Sequence, residues 1–231
     1  MLQLDQLTLA QGAFRLTADL AVTAGETVAI IGPSGAGKST LLMAIAGFLA
    51  PAAGRVLWQG TDLADVAPGQ RPVSILFQDQ NLFPHLTIAR NLGLGLNPRL
   101  KLSATEWAQV ESALVRVGLG GMGNRRPAEL SGGQQSRAAL ARALLRARPL
   151  LLLDEPFAAL GPALKADMLA LVGAVVAETH ATLLMVTHDP ADARNHASHT
   201  VLVDAGVAHP PQVTADLFAH PPAALRAYLG T

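Results

Sequence analysis

Cysteine is absent from the 231-residue sequence, and tyrosine occurs once. Without cysteine the chain can form neither a disulfide framework nor a thiolate-bound metal site, which fits a reducing compartment. An excess of charge of one sign is also missing, because Lys plus Arg and Asp plus Glu both number 17 and the formal net charge is zero. Since nucleic acids attract proteins with a basic excess, we expect no nucleic-acid partner.

Long hydrophobic runs are missing as well. The longest ones, at 41–50 and 169–177, are far shorter than the ~20 residues that a membrane-spanning helix needs. The amino terminus has no basic segment ahead of an apolar one, so no export signal is expected. The composition, 50% hydrophobic, favours a globular protein with one sizeable core. Another protein would have to hold it at a membrane.

Apolar runs indicate the fold class. Residues 1–31 contain short apolar runs separated by turn signals, which predict antiparallel strands leading into a buried strand at 27–31. Beyond them, the uninterrupted apolar runs at 73–77, 150–153 and 182–186 alternate with helical patterns. Uninterrupted apolarity is typical of strands covered on both faces. The sequence therefore predicts an α/β fold with a parallel sheet.

A polar, helical insert is expected at about 87–148. Within it, Ser103 and Glu106 have the spacing of a capping box at a helix N-terminus. Apolar residues then recur at helical spacing from Trp107 to Val117. We interpret the insert as a helical subdomain.

The clearest nucleotide-binding signal is GPSGAGKST, between an apolar strand and the helical pattern LLMAIAGFL. It matches the phosphate-binding loop Gly-x-x-x-x-Gly-Lys-Ser/Thr, whose glycines let backbone N–H groups converge on phosphate oxygens at a helix N-terminus. We expect Lys38 to reach the β- and γ-phosphates of a nucleotide and the Ser39 hydroxyl to bind Mg²⁺. The candidate cofactor-binding residues here are Gly32, Pro33, Ser34, Gly35, Ala36, Gly37, Lys38, Ser39 and Thr40.

Two carboxylates follow the apolar run at 150–153. An isolated acidic pair at such a place usually marks the point where a buried strand reaches the surface. Beside a phosphate-binding loop, however, Asp154 suits Mg²⁺ and Glu155 could accept a proton from an attacking water. The pair is therefore a candidate for metal binding and catalysis.

Two other predicted strands end in polar residues, Gln78 and His188. Either one alone is usually a capping or surface residue. Ligands of an open parallel sheet bind beyond the carboxyl ends of its strands. Gly32, Gln78, Asp154, Glu155 and His188 would all emerge there, and this convergence favours a nucleotide crevice.

A second glycine-rich helix start occurs in LSGGQ, residues 130–134. Ser131 and Gln134 have the spacing of a capping box, which by itself requires only a well-started helix. Gly132 and Gly133 are harder to explain in that way, because glycine weakens a first helical turn unless something must approach its backbone closely.

The order and spacing of GPSGAGKST, Gln78, LSGGQ, LLLLDE and His188 resemble the ATP-binding subunits of ABC transporters, from the first strands to about residue 206. The resemblance implies a P-loop NTPase core with a parallel sheet, an N-terminal antiparallel β subdomain and an inserted α-helical subdomain at about 87–148. It implies one such domain over 1–231, with no separate C-terminal regulatory domain.

The same resemblance implies partners and a location. Two copies would form a homodimer through ATP and Mg²⁺, with each nucleotide between the phosphate loop of one copy and the LSGGQ segment of the other. The dimer would bind transmembrane permease subunits at the cytoplasmic face of the bacterial inner membrane, as a peripheral protein. A periplasmic solute-binding protein would be an indirect partner.

Roles of single residues also follow from the resemblance. Glu155 would be the general base, His188 the contact to the γ-phosphate, and Gln78 the group that senses Mg²⁺ and the attacking water. Asp154 would complete the metal site with Ser39 and Gln78. Residues 79–103 would line a groove for a helix of the membrane subunit.

In the LSGGQ segment, the residues that would face the nucleotide of the partner copy are Ser131, Gly132, Gly133 and Gln134.

Two features depart from the family pattern. The family usually has Ser-Ala-Leu-Asp after the acidic pair, whereas this chain has Ala-Ala-Leu-Gly at 158–161. The missing carboxylate at Gly161 predicts slow or loosely coupled hydrolysis. The family also stacks adenine on an aromatic residue of the first strands, but the one tyrosine is Tyr228. Phe14 is the nearest candidate, and the alternative for it is a core position.

Within the family, residues 70–98, 150–164 and 182–193 look most like the ATPases of bacterial thiamine importers. The expectation that the transported solute is thiamine rests on this resemblance alone. ATPases that drive import of sulfate, molybdate or iron are one alternative, and a nucleotide-binding regulator outside transport is another.

Overall fold

The computed structural model describes residues 1–79, 81–158 and 160–230. The chain forms two compact units. The first unit consists of Met1–Val73, Pro149–Glu155 and His180–Thr231, and the second of Ser74–Arg148 and Pro156–Thr179. No helix in the described ranges is both long and apolar enough to cross a membrane.

Most of the strands lie in the first unit. In chain order the strands are β1 (Leu2–Gln11), β2 (Phe14–Val22), β3 (Thr27–Ile31), β4 (Ala53–Trp58), β5 (Thr61–Asp62), β6 (Val73–Leu76), β7 (Leu150–Asp154), β8 (Thr182–Val186), β9 (His199–Asp204), β10 (Val207–Ala208) and β11 (Gln212–Val213).

The helices belong to both units. In chain order they are α1 (Lys38–Ala46), α2 (Ile88–Leu96), α3 (Ala104–Arg116), a 3-10 turn (Pro127–Glu129), α4 (Gly132–Leu145), α5 (Pro162–Thr179), α6 (Pro190–His196), α7 (Thr214–Ala219) and α8 (Ala223–Leu229). Helices α2 to α5 and the 3-10 turn lie in the second unit, and α1, α6, α7 and α8 lie in the first.

The sheet of the first unit is mixed, with neighbouring strands in the order β5-β4-β1-β2-β10-β9-β3-β8-β7. Strand β1 pairs antiparallel with β2 and β4, whereas β9, β3, β8 and β7 are parallel. Every residue of β7 and β8 is buried, as expected for strands covered on both faces. The predicted antiparallel strands before residue 31 and the predicted parallel sheet are therefore confirmed.

Parallel pairing decides where the polar strand ends meet. Strands β3, β8 and β7 are neighbours and run in the same direction, so their carboxyl ends lie at one edge of the sheet. The phosphate-binding loop follows β3, Asp154 ends β7, and His188 follows β8 by two residues.

Helix α1 is shorter than the sequence pattern suggests. The apolar pattern continues to residue 49, but the helix ends at Ala46 because Gly47 adopts a left-handed conformation with φ 89°. Its N–H donates to Ala44 O and Met43 O. This is a glycine C-cap, which closes a helix without the steric cost that a Cβ would impose.

A buried arginine holds the C-terminal end of α1. Arg71 is 5% exposed, and its guanidinium donates to Ala44 O, Ile45 O, Leu63 O and Val66 O. Burial lowers the pKa of Arg71, which still carries its charge. A cation beside the last helical carbonyls also stabilises the helix dipole.

The C-terminal segment of the first unit packs on β3. An apolar cluster unites strand, helix and tail residues: Ala29, Ile31, Ala193, Leu202, Leu217 and Leu225. Arg194 stacks on Phe218, with the guanidinium carbon 4.5 Å from the ring centroid. The short strands and helices of this segment therefore cover one face of the parallel sheet.

The second unit is helical around its own apolar core. Residues of α2, α3 and α4 meet in this core, among them Ile88, Leu92, Val110, Leu114 and Ala138. The predicted capping box at the start of α3 is confirmed, because the side chains and backbone N–H groups of Ser103 and Glu106 are hydrogen bonded reciprocally.

Candidate functional site

The loop after β3 needs glycine where other backbone approaches it. Gly32 has φ 149°, and a Cβ there would lie 2.0 Å from Val203 O in β9. Gly37, with φ 99°, is the N-cap of α1, and a Cβ on it would lie 2.5 Å from Cζ of Phe14. These glycines therefore let the loop pass closely over the sheet and enter a helix whose first N–H groups suit an anion.

Lys38 is the first residue of α1 and is only 7% exposed. Its Nζ donates to Gly32 O and Pro33 O, both at 2.8 Å, so the ammonium lies against the loop that precedes it. Burial lowers the pKa of Lys38, while the charges of Glu155 and Asp154 raise it. The ammonium is thus held at the place where phosphate oxygens would be cradled.

Ser39 and Asp154 form a pair of oxygen donors. The Ser39 hydroxyl donates to Asp154 Oδ1 at 2.9 Å, and Asp154 is 7% exposed. Burial raises the pKa of Asp154, as does the charge of Glu155, while the Ser39 hydrogen bond and Lys38 lower it.

This donor set fits Mg²⁺. The ion prefers oxygen ligands and is usually bound by one or two carboxylates together with substrate phosphates and water. Within the described ranges, no group of three or more His, Cys, Asp and Glu side chains could hold a metal by itself. An ion between Ser39 and Asp154 would therefore take its other ligands from phosphate and water.

Glu155 and His188 face each other beyond the ends of β7 and β8. Glu155 has φ 44°, and its N–H donates to Val186 O at 3.1 Å, so the chain turns sharply as it leaves the strand. The Nδ1 of His188 is 3.2 Å from Glu155 Oε2. The Glu155 side chain is 23% exposed and that of His188 58%. Both groups can therefore reach a ligand from solvent.

Phe14 is half-buried beside the phosphate-binding loop. Its ring atoms Cζ and Cε2 would be 2.5 and 3.1 Å from a Cβ on Gly37. The ring therefore packs against the start of α1, and an aromatic face of the N-terminal strands is available near the loop.

Tyr228 contacts the site although it belongs to none of the sequence motifs. Its hydroxyl donates to the backbone oxygen of His188 at 2.7 Å. Because the two residues are 40 positions apart in the chain, no local sequence pattern predicts their contact. The rarity of tyrosine was the one sequence feature that drew attention to Tyr228.

The LSGGQ segment lies in the second unit, at the start of α4. Ser131 Oγ accepts from Gln134 N at 3.3 Å, and Gln134 Oε1 accepts from Ser131 N at 2.9 Å. The predicted capping box is therefore confirmed.

The two glycines of this segment differ in their surroundings. A Cβ on Gly133 would lie 2.9 Å from Leu164 Cδ2 and 3.3 Å from Leu160 Cδ2, so a side chain there would have to push aside the ends of two leucine side chains. A Cβ on Gly132 would meet no described atom within 4 Å, and Gly132 is exposed. Steric crowding within the described part of the chain therefore does not account for Gly132.

Gln78 and Gly161, the glycine that departs from the family pattern, also belong to the second unit. Gln78 is exposed in a turn after β6. Gly161 immediately precedes α5 and accepts a hydrogen bond from Lys165 N at 3.0 Å. Ala159, which fits the family pattern, lies outside the described residues.

Comparison with protein families supports the nucleotide-binding interpretation. The model of the ABC transporter family matches residues 17–158. The chain is 68% identical over 230 residues to the thiamine import ATP-binding protein ThiQ of Cereibacter sphaeroides, with 100% of each chain covered. It is 59% identical to the protein of the same name from a Ruegeria species, again with 100% of each covered.

Solved structures agree with this result. The dimeric post-hydrolysis structure of the ATP-binding cassette MJ0796 bound to ADP and Pi superposes with a TM-score of 0.83 and 29% identity. The alignment covers 93% of this chain and 99% of that one. The fold predicted from the resemblance, a P-loop ATPase of the ABC type, is confirmed.

Proposed function

Because the chain belongs to the ABC transporter family of ATP-binding subunits, we propose that it hydrolyses ATP to drive import of thiamine into a bacterial cell. The observation that carries the solute is the 68% identity, over the whole chain, to a protein named for thiamine import. The nucleotide site itself does not contact the transported molecule, so the solute is inferred from the relatives and the reaction from the site.

Nucleotide binding rests on the loop and its lysine. The backbone N–H groups at the start of α1 and the buried ammonium of Lys38 offer positive charge to the β- and γ-phosphates. On ATP binding, Lys38 would exchange its bonds with Gly32 O and Pro33 O for phosphate oxygens. Ser39 and Asp154 would hold Mg²⁺, which neutralises charge on the phosphates during transfer.

Hydrolysis requires a base that activates water for in-line attack on the γ-phosphate. Glu155 is the strongest candidate, since its carboxylate is partly exposed next to the buried site and its neighbour Asp154 is occupied by Ser39. The contact of His188 Nδ1 at 3.2 Å orients the Glu155 carboxylate. Glu155 would take a proton from the water, and His188 would contact the γ-phosphate.

A homodimer would complete the site. The known cassette MJ0796 is dimeric in its solved structure, and Gly132 is an exposed glycine whose Cβ would meet no atom of the described residues within 4 Å. We therefore propose that Ser131, Gly132, Gly133 and Gln134 of one copy bind the ATP held by the phosphate loop of the other. An absent Cβ at Gly132 lets the partner's phosphates approach the helix N-terminus.

Contact with permease subunits would use the loop before α2. Asn91 is fully buried. Its Oδ1 accepts from Phe83 N at 2.7 Å, and its Nδ2 donates to Phe83 O at 3.0 Å and Leu86 O at 3.3 Å. These bonds fix the loop while the Phe83 side chain stays 47% exposed. A fixed loop with an exposed aromatic ring suits a docked helix at the cytoplasmic face of the membrane.

Gln78 would link this docking region to the nucleotide. It lies on the segment between β6 and the loop before α2, and its exposed amide could sense Mg²⁺ or the attacking water of the same copy. This role is a proposal drawn from the family.

The test of the proposed function is phosphate release by the chain co-purified with its permease. We expect turnover that rises when a thiamine-loaded binding protein is added, and no rise with an unloaded one. Stimulation by sulfate, molybdate or iron with their binding proteins instead would reassign the solute. A complex that binds ATP but releases no phosphate would indicate a regulator.

A further inference from the structure

The segment around His188 is fixed tightly on one side. Thr187 N–H donates to Ile30 O at 3.2 Å, and the buried Thr187 hydroxyl donates to Asp192 Oδ2 at 2.6 Å. Asp189 N–H in turn donates to Thr187 Oγ1 at 3.1 Å. These bonds attach Thr187 to β3 and α6, so the chain enters His188 from a fixed point.

His188 itself extends away from this fixed point. Its side chain is 58% exposed, so close packing does not set its rotamer. Its Nδ1 nevertheless lies 3.2 Å from Glu155 Oε2. The Glu155 hydrogen bond holds the imidazole only if the peptide that carries it has the right orientation, so the contacts of that peptide matter.

Tyr228 binds that peptide. Its hydroxyl donates to His188 O at 2.7 Å, while its ring packs against the apolar cluster of β3, α6, β9 and the tail. Burial raises the pKa of Tyr228, as do the charges of Glu155 and Asp189. The phenol therefore keeps its proton at neutral pH and stays a donor to the carbonyl.

We propose that Tyr228 is a positioning residue for ATP hydrolysis, acting through His188. The hydrogen bond from α8 fixes the peptide after His188, and this in turn keeps the imidazole between Glu155 and the site of the γ-phosphate. The inference rests on the proposed role of His188 in the proposed function. It assigns the C-terminal helix a role in the rate of hydrolysis.

The variant that tests this is Tyr228→Phe, which keeps the ring in the cluster and removes only the hydroxyl. We expect kcat for ATP to fall about fivefold, the effect of about one neutral hydrogen bond. We expect KM for ATP to stay within about twofold, because the phosphate loop is unchanged.

The matched control is Thr214→Val. It removes another hydroxyl of the C-terminal tail, one that is hydrogen bonded to Thr200 Oγ1 at 2.9 Å. It should lower thermal stability by a similar amount and leave kcat unchanged. Parent-like kcat in Tyr228→Phe, or an equal fall of kcat in both variants, would overturn the inference.

A double-mutant cycle with His188→Ala separates this inference from the function on which it rests. Single-turnover phosphate release should fall in His188→Ala and fall no further when Tyr228→Phe is added, because the two residues act in one chain of contacts. Full activity of His188→Ala would overturn the proposed role of His188. A further fivefold fall in the double variant would overturn only the route through His188.

Discussion

At the scale of single residues, Lys38 and Asp154 are charges held largely out of water before any nucleotide is bound. Both are 7% exposed. Burial lowers the pKa of Lys38 and raises the pKa of Asp154, and each shift favours the neutral form of the side chain. Such desolvation costs stability in the free protein. Phosphates and Mg²⁺ would bring the missing partner charges, so the site is arranged for its ligand at the expense of the free fold.

The residue-scale prediction for Asp154 concerns pH. Its pKa in the folded protein is raised above the value of 3.8 expected for an unfolded chain. The folded state therefore binds the proton more tightly, and its stability falls as the pH rises from 3.8 through the folded pKa. The stability of Asp154→Asn should not show this decrease with pH, so the variant should melt higher than the parent at pH 7 without nucleotide. It should also lose ATP hydrolysis.

Calorimetry from acid to neutral pH checks this prediction, because each kcal/mol of stability gained raises Tm by about 2–4 °C for a chain of this size. A Tm difference between parent and Asp154→Asn that does not change with pH would contradict it.

A second residue-scale prediction concerns the base. Glu155→Gln keeps a hydrogen-bonding side chain beside His188 but cannot accept a proton. We expect turnover to fall by about 10²–10⁴-fold, the usual contribution of a general base, with ATP affinity retained and the ATP-bound dimer trapped. Glu178→Gln, at an exposed carboxylate bonded to Arg116, is the control and should turn over normally. Retained turnover in Glu155→Gln would mean that another group is the base.

At the scale of elements, the helix after the phosphate loop depends on how it ends. Gly47 is left-handed, and a Cβ on it would lie 2.5 Å from Arg71 Nε. The arginine that binds the last carbonyls of α1 thus occupies the space that any side chain at Gly47 would need. The glycine that ends α1 and the arginine that binds its last carbonyls therefore depend on each other.

Gly47→Ala should therefore destabilise the protein by more than left-handed strain alone. The strain of a non-glycine residue at positive φ costs about 1–3 kcal/mol, and the displaced guanidinium would leave buried carbonyls without a donor. Gly60→Ala is the matched control, since Gly60 has φ 80° and a Cβ on it would lie more than 4 Å from every atom in the described part of the chain. Denaturant unfolding should give a clearly larger loss for Gly47→Ala; equal losses would show that Arg71 moves aside freely.

Helix α5 offers a prediction at the same scale. Gly161 precedes its first residue, Pro162, and a Cβ on it would meet no atom of the described residues within 4 Å. Gly161→Asp would restore the family carboxylate and also cap the helix, whereas Gly161→Asn would cap it without charge. We expect both to gain only about a few tenths of a kcal/mol of stability, but only Gly161→Asp to raise turnover in the assembled transporter. Equal turnover in parent and Gly161→Asp would remove any catalytic meaning from the missing carboxylate.

Local patterns predicted the elements better than their contacts. The capping boxes of α3 and α4 were predictable because their partners lie three residues apart, and the parallel strands because burial on both faces leaves continuous apolar runs. The end of α1 at Ala46 was not, since residues 48 and 49 are apolar and Gly47 alone breaks the helix. The spacing of apolar residues does not reveal where a glycine adopts the left-handed conformation that ends a helix.

At the scale of the whole molecule, the features that sequence could not supply are contacts over long separations. Val203 lies against Gly32, Phe14 against Gly37, and Tyr228 against His188. Each depends on which strands and helices the fold brings side by side, and no local period encodes that. The motif residues could be identified because the chemistry of phosphate binding restricts them to a short segment.

The central claim is that one nucleotide site is built from two copies of this chain. A chain without cysteine allows a direct measurement. Ser34 and Ser131 are both exposed, one in the phosphate loop and one in LSGGQ. One preparation would carry Ser34→Cys and a differently tagged one Ser131→Cys, each also with Glu155→Gln so that ATP persists. Oxidation to a disulfide, or a short cross-linker with two thiol-reactive groups, would report their proximity.

We predict a cross-linked heterodimer when the two preparations are mixed with ATP, and little without ATP or in either preparation alone. Both variants should bind ATP as monomers, which provides the control for folding. A mixture that binds ATP but yields no cross-link, or yields the same cross-link without nucleotide, would contradict the shared site.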